Sequence, residues 1–250
     1  MRFPLANSPA LISIIVPVYN EAQNVSKVFD SLCRAWEGRD DEWEMILVDD
    51  NSPDGTSSVA RKIAQEDSRL RVIRRIGRRG LTSAVIEGIL SSSSHFVAVM
   101  DGDGQHDETI LPRMLDALVD GTDLVVGTRY AKGGDASGLS GKYREWLSKL
   151  GTKVAQKVSG KKCSDPMSGF FAVKRDLIEE ILPSMRTKGF KILFEFLAKS
   201  SDTLSIREVP FVFKDRLAGE SKLSFGVIQE AIIQTFVLLF NRVKRHRNKL

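Results

Sequence analysis

Asp101 and Asp103 stand one residue apart, with Gln105 following at the same stride, directly behind the apolar run His95-Phe96-Val97-Ala98-Val99-Met100. An apolar run of that length bounded by turn residues reads as a buried strand. If the chain stays extended through Gln105, side chains at i, i+2 and i+4 share one face. Two carboxylates and an amide oxygen then converge on one point. Hard divalent cations such as Mg2+ or Mn2+ take oxygen donors of this kind, one or two carboxylates with substrate phosphates completing the shell. The same residues also make an ordinary polar turn after a strand, and taken alone the triplet leaves both readings open.

Three further polar motifs follow apolar runs. Pro17-Val18-Tyr19-Asn20-Glu21 comes after the run at 11–16 and offers a ring to stack on a base and a carboxylate to accept from a ribose or base. Its plainer reading is a helix start, with Asn20 as the N-cap. Asp49-Asp50-Asn51-Ser52-Pro53-Asp54-Gly55 follows the run at 44–48, and as an Asx-type turn it caps the next helix. That turn also brings two acids to a strand end, where a nucleoside would lie. Arg78-Arg79-Gly80-Leu81 opens the third helical stretch, setting helix amides and positive charge where a diphosphate could sit. For either arginine singly, a solvated basic loop is the simpler account.

The elements that must position these groups alternate. Strand patterns at 11–16, 44–48, 70–74, 95–100 and 123–127 are interleaved with helical spacing at 22–35, 57–66, 81–91 and 109–119. Such alternation implies βαβ units, an α/β class and a mainly parallel central sheet flanked by helices. Ligands of open parallel sheets sit outside the carboxyl ends of the strands, where each of these motifs lies. Beyond a Gly- and Ser-rich loop at 133–141, the pattern predicts a helix at 142–158, strands at 170–173 and 206–213, and a helix at 192–199. The polar stretch 214–224 has the character of a lid.

With 42% hydrophobic and 28% charged residues in 250, the chain can bury a large core and does not read as disordered. Cys33 and Cys163 show no ligand or redox spacing, which suits a reducing compartment rather than a disulfide framework. The N-terminus has none of the features of a signal peptide. A net charge of +5 leaves anionic substrates, nucleic acid and anionic lipid surfaces open. Nucleic acid is the poorest of these: Arg71, Arg74, Arg75, Arg78 and Arg79 are not interleaved with aromatics and no nucleic-acid motif is present. We divide the chain into an extension (1–10), a catalytic domain (11–225) and a C-terminal segment (226–250). In the last, the apolar stretch 226–240 precedes Arg242, Lys244, Arg245, Arg247 and Lys249. It suits a helix lying in a membrane interface and equally a helix packed on its own domain; it is shorter than a bilayer span.

Taken together, Ile14-Ile15-Val16-Pro17-Val18-Tyr19-Asn20-Glu21, the stretch from Val48 to Thr56 and Met100-Asp101-Gly102-Asp103 resemble the family 2 glycosyltransferases, which have the GT-A fold. Val126-Gly127-Thr128-Arg129-Tyr130, Asp165-Pro166-Met167-Ser168-Gly169-Phe170-Phe171 and the run from Arg216 to Lys222 resemble, more narrowly, the dolichol-phosphate and polyprenyl-phosphate mannose synthases. The resemblance implies nucleotide contacts from Pro17, Val18, Tyr19, Glu21, Val48 and Asp50, and a metal, Mg2+ or Mn2+, at Asp101, Asp103 and Gln105. It implies phosphate-holding roles for Arg129, Arg144, Arg216 and Lys222, with Asp103, Arg129, Arg216 and Lys222 as the catalytic set. The turn from Asp165 to Gly169 would shape the acceptor site. Gly104 departs from the apolar residue common in that branch, which makes Gln105 the least secure ligand. The expected activity is inverting, metal-dependent transfer of a hexose, mannose from GDP-mannose, to dolichyl or another polyprenyl phosphate. The alternative donor is a UDP-sugar such as UDP-glucose. The expected location is cytoplasmic, peripherally bound to an anionic membrane surface.

Overall fold

Alternating apolar residues along each strand face two helical layers. The computed structural model describes residues 10–39, 43–130, 156, 160–186, 189 and 191–213. The elements are β1 (Ile12–Val18), α1 (Val25–Ala35), β2 (Trp43–Asp49), α2 (Thr56–Glu66), β3 (Leu70–Arg74), α3 (Leu81–Leu90) and β4 (Phe96–Val99). They continue with α4 (Leu111–Val119), β5 (Leu124–Thr128), β6 (Phe171–Lys174), α5 (Arg175–Ile181), α6 (Ile192–Lys199) and β7 (Ile206–Pro210). The seven strands form one sheet in the order β3-β2-β1-β4-β6-β5-β7. Pairing is parallel except at β6, which runs antiparallel to both β4 and β5. The sheet is therefore mainly parallel, as the alternation predicts.

Ile12, Ile14, Val16 and Val18 of β1 join Met45, Leu47, Ala98 and Val125 in one apolar layer, beneath Val28, Phe29 and Leu32 of α1 and Met114 and Leu115 of α4. Ile15, Ile46, Val48, Val97, Val99, Val126 and Phe171 face the other layer, with Val85 and Ile89 of α3, Ile178 of α5 and Leu193 and Phe196 of α6. Burying one such side chain contributes roughly 1.5–3 kcal/mol, and a slip by one residue would exchange the layers. The register that points these side chains inward also fixes where each strand ends, and so where each polar motif begins.

Local differences from the sequence expectations have local causes. Asn20 is not an N-cap: it adopts a left-handed backbone, φ 56°, its N–H donates to Ser52 Oγ at 2.9 Å, and α1 begins later, at Val25. The expected helix at 109–119 opens as a 3-10 turn, Glu108–Ile110, where the Asp107 carboxylate accepts from the Thr109 amide. Helix α5 follows β6 without a loop and, at 7 residues, is too short to declare a period. The expected helix at 142–158 (apart from Gln156), the lid at 214–224 and the segment 226–250 lie outside the described residues. No helix among the described residues is long and apolar enough to cross a membrane.

Candidate active site

Strands β1, β2, β4 and β5 run parallel, so Val18, Asp49, Val99 and Thr128 end at one edge of the sheet. Because β6 is antiparallel, it starts at that same edge and brings the turn from Asp165 to Gly169 with it. One edge thus gathers the motifs after β1, β2, β4 and β5 and the turn before β6.

The run from Asp101 to Gln105 is a turn and not an extension of β4, which corrects the one-face expectation. Gly104 takes φ 73°, and the Gln105 amide donates back to Asp103 Oδ1 at 3.1 Å. A residue with a side chain is strained at that φ. Gly102 is fixed by packing: a Cβ there would lie 2.5 Å from Val18 Cγ1. The turn is therefore pressed against the end of β1. The Asp101 side chain is 42% exposed, while Asp103 is buried.

His106 was not singled out by sequence reasoning, although it directly follows the motif. Its Nδ1 accepts from the Asp101 amide at 3.1 Å, so the neutral ring carries its proton on Nε2, 3.8 Å from Asp101 Oδ2. The ring stacks on Phe170 at 4.9 Å and meets Phe211 edge-on at 5.6 Å. Burial pushes its pKa down to about 4, against the pull of the Asp103 carboxylate. A neutral imidazole can hold the Asp101 backbone without adding a positive charge to the turn. Among the described residues no group of three His, Cys, Asp or Glu side chains could close around a metal. Two carboxylates in one turn with half-open access nonetheless fit Mg2+ or Mn2+, which keep water and phosphate oxygens in their shells.

At the other end of the edge, most acids are already committed. Asp49, fully buried, accepts from the Ser52 amide at 3.0 Å and from the hydroxyls of Ser52 and Ser57. It shapes the β2–α2 turn. Asp54 accepts from the Ala22 amide and from Thr56, which in turn accepts from the Glu21 amide, tying the loops after β1 and β2 together. Glu21 is buried and accepts from Asn24 Nδ2 at 2.7 Å. Asp50 is paired with Arg75 and accepts from the Gly80 amide at 2.7 Å. The amide of Gly80, the N-cap residue of α3, is therefore taken by Asp50. Arg75 itself is 0% exposed, which removes it from any surface footprint. Arg78 is paired with Glu87. Pro17 and Val48 are register partners between β1 and β2, and the Val18 and Val48 side chains belong to the core, so only their backbones can face a ligand. Tyr19 is half-buried, and the Arg79 guanidinium lies 4.6 Å from its ring centroid.

Across β4, Arg129 grips Asp165 with two hydrogen bonds, Nε to Oδ2 at 2.8 Å and Nη2 to Oδ1 at 3.1 Å. The guanidinium also lies 5.3 Å from the rings of Tyr130 and Phe213. The turn is braced from several strands. Ser164 donates through its amide and hydroxyl to Glu208 of β7 and its hydroxyl meets Thr128 Oγ1 at 2.7 Å. Ser168 donates to the Gly127 carbonyl at 2.8 Å. At its far end, a Cβ on Gly169 would stand 3.1 Å from Asp101 Oδ2. Lys191, just before α6, is a second residue the sequence reading missed. Its Nζ donates to the Met167 carbonyl at 3.3 Å. Burial and the nearby Arg129 charge lower its pKa, against the pull of Asp101 and Asp165. Arg144, Arg216 and Lys222 lie outside the described residues.

The comparisons with known proteins agree with this architecture. The family model for glycosyl transferase family 2 matches residues 13–182. The chain is 36% identical over 230 residues to a dolichol-phosphate mannosyltransferase from Pyrococcus furiosus, covering 91% of this chain and 63% of that protein. It thus spans less than two thirds of that relative's length. It is 36% identical to the dolichol-phosphate mannosyltransferase of Saccharomyces cerevisiae, covering 89% of this chain and 84% of the yeast protein. A polyprenol monophosphomannose synthase of Mycolicibacterium smegmatis is 31% identical, over 88% of this chain and 84% of that one. Among solved structures, glucosyl-3-phosphoglycerate synthase from Mycobacterium tuberculosis, in complex with Mn2+, UDP-glucose and glycerol 3-phosphate, superposes with a TM-score of 0.64 at 21% identity, covering 93% of this chain and 80% of that one. At that identity the likeness speaks for the fold. With the carboxyl-edge site, the sheet order and these matches together, the chain belongs to glycosyl transferase family 2 and carries its GT-A fold.

Proposed function

We infer that this chain transfers a hexose, mannose from GDP-mannose, to the phosphate of dolichol or another polyprenyl phosphate. The observation that carries the reading is the pair of cations on the turn before β6: Arg129 is held by Asp165 and Lys191 donates to the Met167 carbonyl, in the turn whose Gly169 lies against the Asp101 carboxylate. A sugar hydroxyl would need a general base to take its proton. A phosphate monoester is already an anion near neutral pH; it needs cations to bring it up to an anionic donor, and these are what the edge offers. The names of the relatives at 31–36% identity support mannose as the sugar and a dolichyl or polyprenyl phosphate as the acceptor.

In this reading an oxygen of the acceptor phosphate attacks the anomeric carbon in line, the bond from that carbon to the diphosphate breaks, and its electron pair leaves with the nucleoside diphosphate. One displacement inverts the anomeric centre. Asp101 and Asp103, with Gln105, would hold a divalent cation, whose chemistry is electrostatic neutralisation of the leaving diphosphate. Arg129, oriented by Asp165, and Lys191 would hold the phosphates apart from water, joined by Arg144, Arg216 and Lys222. Tyr19, Glu21 and Asp50, with the backbone of Pro17, Val18 and Val48, would form the nucleoside end. A polyprenyl chain partitions into a bilayer, so the edge would work at a membrane surface.

The test is transfer of labelled sugar from GDP-mannose or UDP-glucose to polyprenyl phosphate in detergent or vesicles, with and without chelator. Label from GDP-mannose in the organic phase, abolished by chelator, is the expected result. Label from UDP-glucose alone would move the assignment to the alternative donor, and no lipid-phase label from either would overturn it.

A further inference from the structure

Four arginines fall at positions 74, 75, 78 and 79, at the end of β3 and in the loop before α3. Three are committed. Arg74 donates to Asn51 Oδ1 at 2.7 Å. Arg75, buried, serves Asp50, Glu87, Ser83 and the Gly80 carbonyl. Arg78 holds both oxygens of Glu87 at 2.7 Å. Arg79 is different. It is exposed, it makes no ion pair or hydrogen bond among the described residues, and its guanidinium rests on the Tyr19 ring. A cation–π contact at an exposed site is weak, so five N–H donors in a planar fork are held there on a light tether.

The sheet order says which end of a nucleotide this cation meets. Strands β3 and β2 lie on one side of β1, while β4, which leads to Asp101 and Asp103, lies on the other. The loop is pinned to its side by the hydrogen bond from the Gly80 amide to Asp50. With neighbouring strands about 4.8 Å apart, Arg79 enters the site from the side remote from the metal turn. It arrives at the ring on which a base would stack.

Resting on the reading that the donor is a nucleoside diphosphate sugar, we propose that Arg79 is the specificity-determining residue for its base, selecting guanine. Laid along Tyr19, guanine presents O6 and N7 as adjacent acceptors, which a guanidinium fork takes in bidentate fashion. Uracil offers the O4 acceptor beside a C5–H at the comparable edge, so the second arm of the fork is unmatched. Lysine cannot replace the fork, since an ammonium is a point charge without its planar geometry.

The experiment is equilibrium binding of GDP, 7-deaza-GDP and UDP, with Mn2+, to the full chain and to Arg79→Ala and Arg79→Lys. Arg79 is exposed, so both variants keep the core, and thermal unfolding checks this. The parent chain should prefer GDP to 7-deaza-GDP, which lacks only the N7 acceptor, by about tenfold. Both variants should bind the two ligands equally and approach the affinity for UDP. If Arg79→Ala weakens GDP and 7-deaza-GDP alike and Arg79→Lys restores both, Arg79 serves the phosphates and the proposal fails. If neither variant changes any affinity, it fails as well. Tighter binding of UDP than GDP by the parent chain would also overturn it, and would reveal, before any variant is compared, that the donor reading itself is at fault.

Discussion

The Arg129 guanidinium and the Asp165 carboxylate meet in a two-pronged pair, at 2.8 and 3.1 Å, with Asp165 fully buried. Burial alone would lower the Arg129 pKa. The hydrogen bonds and charge of Asp165 outweigh it and leave the pKa above that of an ordinary arginine. The pair thus keeps a cation inside the protein at a set angle beside the carboxyl edge of the sheet. Asp165→Asn preserves the shape and removes the charge, leaving Arg129 buried without its partner. Breaking a buried pair in this way costs about 3–5 kcal/mol. We expect a loss of that order in urea unfolding, with a rise in KM for the phosphate acceptor. An unchanged unfolding midpoint would mean that Arg129 finds its counter-charge elsewhere.

Gly169 links that turn to the turn that carries Asp101 and Asp103. A methyl group there would sit 3.1 Å from Asp101 Oδ2, tighter than an ordinary contact, so either the carboxylate or the turn must yield. Gly169→Ala should cost little stability, on the order of 1 kcal/mol, while raising the divalent-ion concentration needed for half-maximal transfer. A metal activation curve measures this directly. Superimposable curves for the two proteins would separate the acceptor turn from the metal site.

The parts of the site legible in the sequence were those set by neighbours along the chain. Apolar runs gave the strand ends, and a parallel sheet sends its strand ends to one edge, so local pattern and topology alone placed Tyr19, Asp50 and Asp101 at that edge, while Arg129 was singled out only through the family resemblance. Which acids are already committed was not legible. Asp49 and Asp50 look alike in sequence, yet one caps a turn through Ser52 and Ser57 and the other neutralises Arg75, a buried arginine just after β3. Such partners depend on packing across the sheet. The same holds for Lys191, which reaches the Met167 carbonyl only because the start of α6 packs under the turn before β6. The one-face stride at Asp101, Asp103 and Gln105 failed for a local reason: it presumed an extended backbone, and Gly104 lets the chain turn.

Acid should weaken the fold through His106. Its folded pKa is about 4 against an ordinary 6.5, so the unfolded chain takes up the proton first as pH falls. The stability linked to this group is complete above pH 6.5 and is lost as pH falls towards 4. Each pKa unit corresponds to 1.36 kcal/mol, which makes the loss about 3 kcal/mol across the window. Urea midpoints between neutral pH and the folded pKa, taken with chelator so that no metal binding enters, should fall along that curve. His106→Asn, which can still accept from the Asp101 amide, should flatten it. A parent protein as steep as the variant would assign the acid sensitivity to carboxylates.

The turn also ranks its own residues. Asp103 is buried, and one of its oxygens is held by the Gln105 amide, so its carboxylate is fixed in place before any cation arrives. Preorganised charge of this kind is where a single removed group costs about a hundredfold or more in rate. Asp103→Asn is nearly isosteric and should abolish transfer at that level while unfolding at close to the parent urea concentration. Gln105 holds the turn through its backbone amide, which substitution leaves in place. Gln105→Ala should therefore reduce transfer only a few-fold, with the metal activation curve displaced modestly. Comparable losses for the two variants would mean that the Gln105 side chain is a full ligand. A Gln105→Ala protein indistinguishable from its parent would leave Asp101 and Asp103 as the protein's whole contribution to the cation.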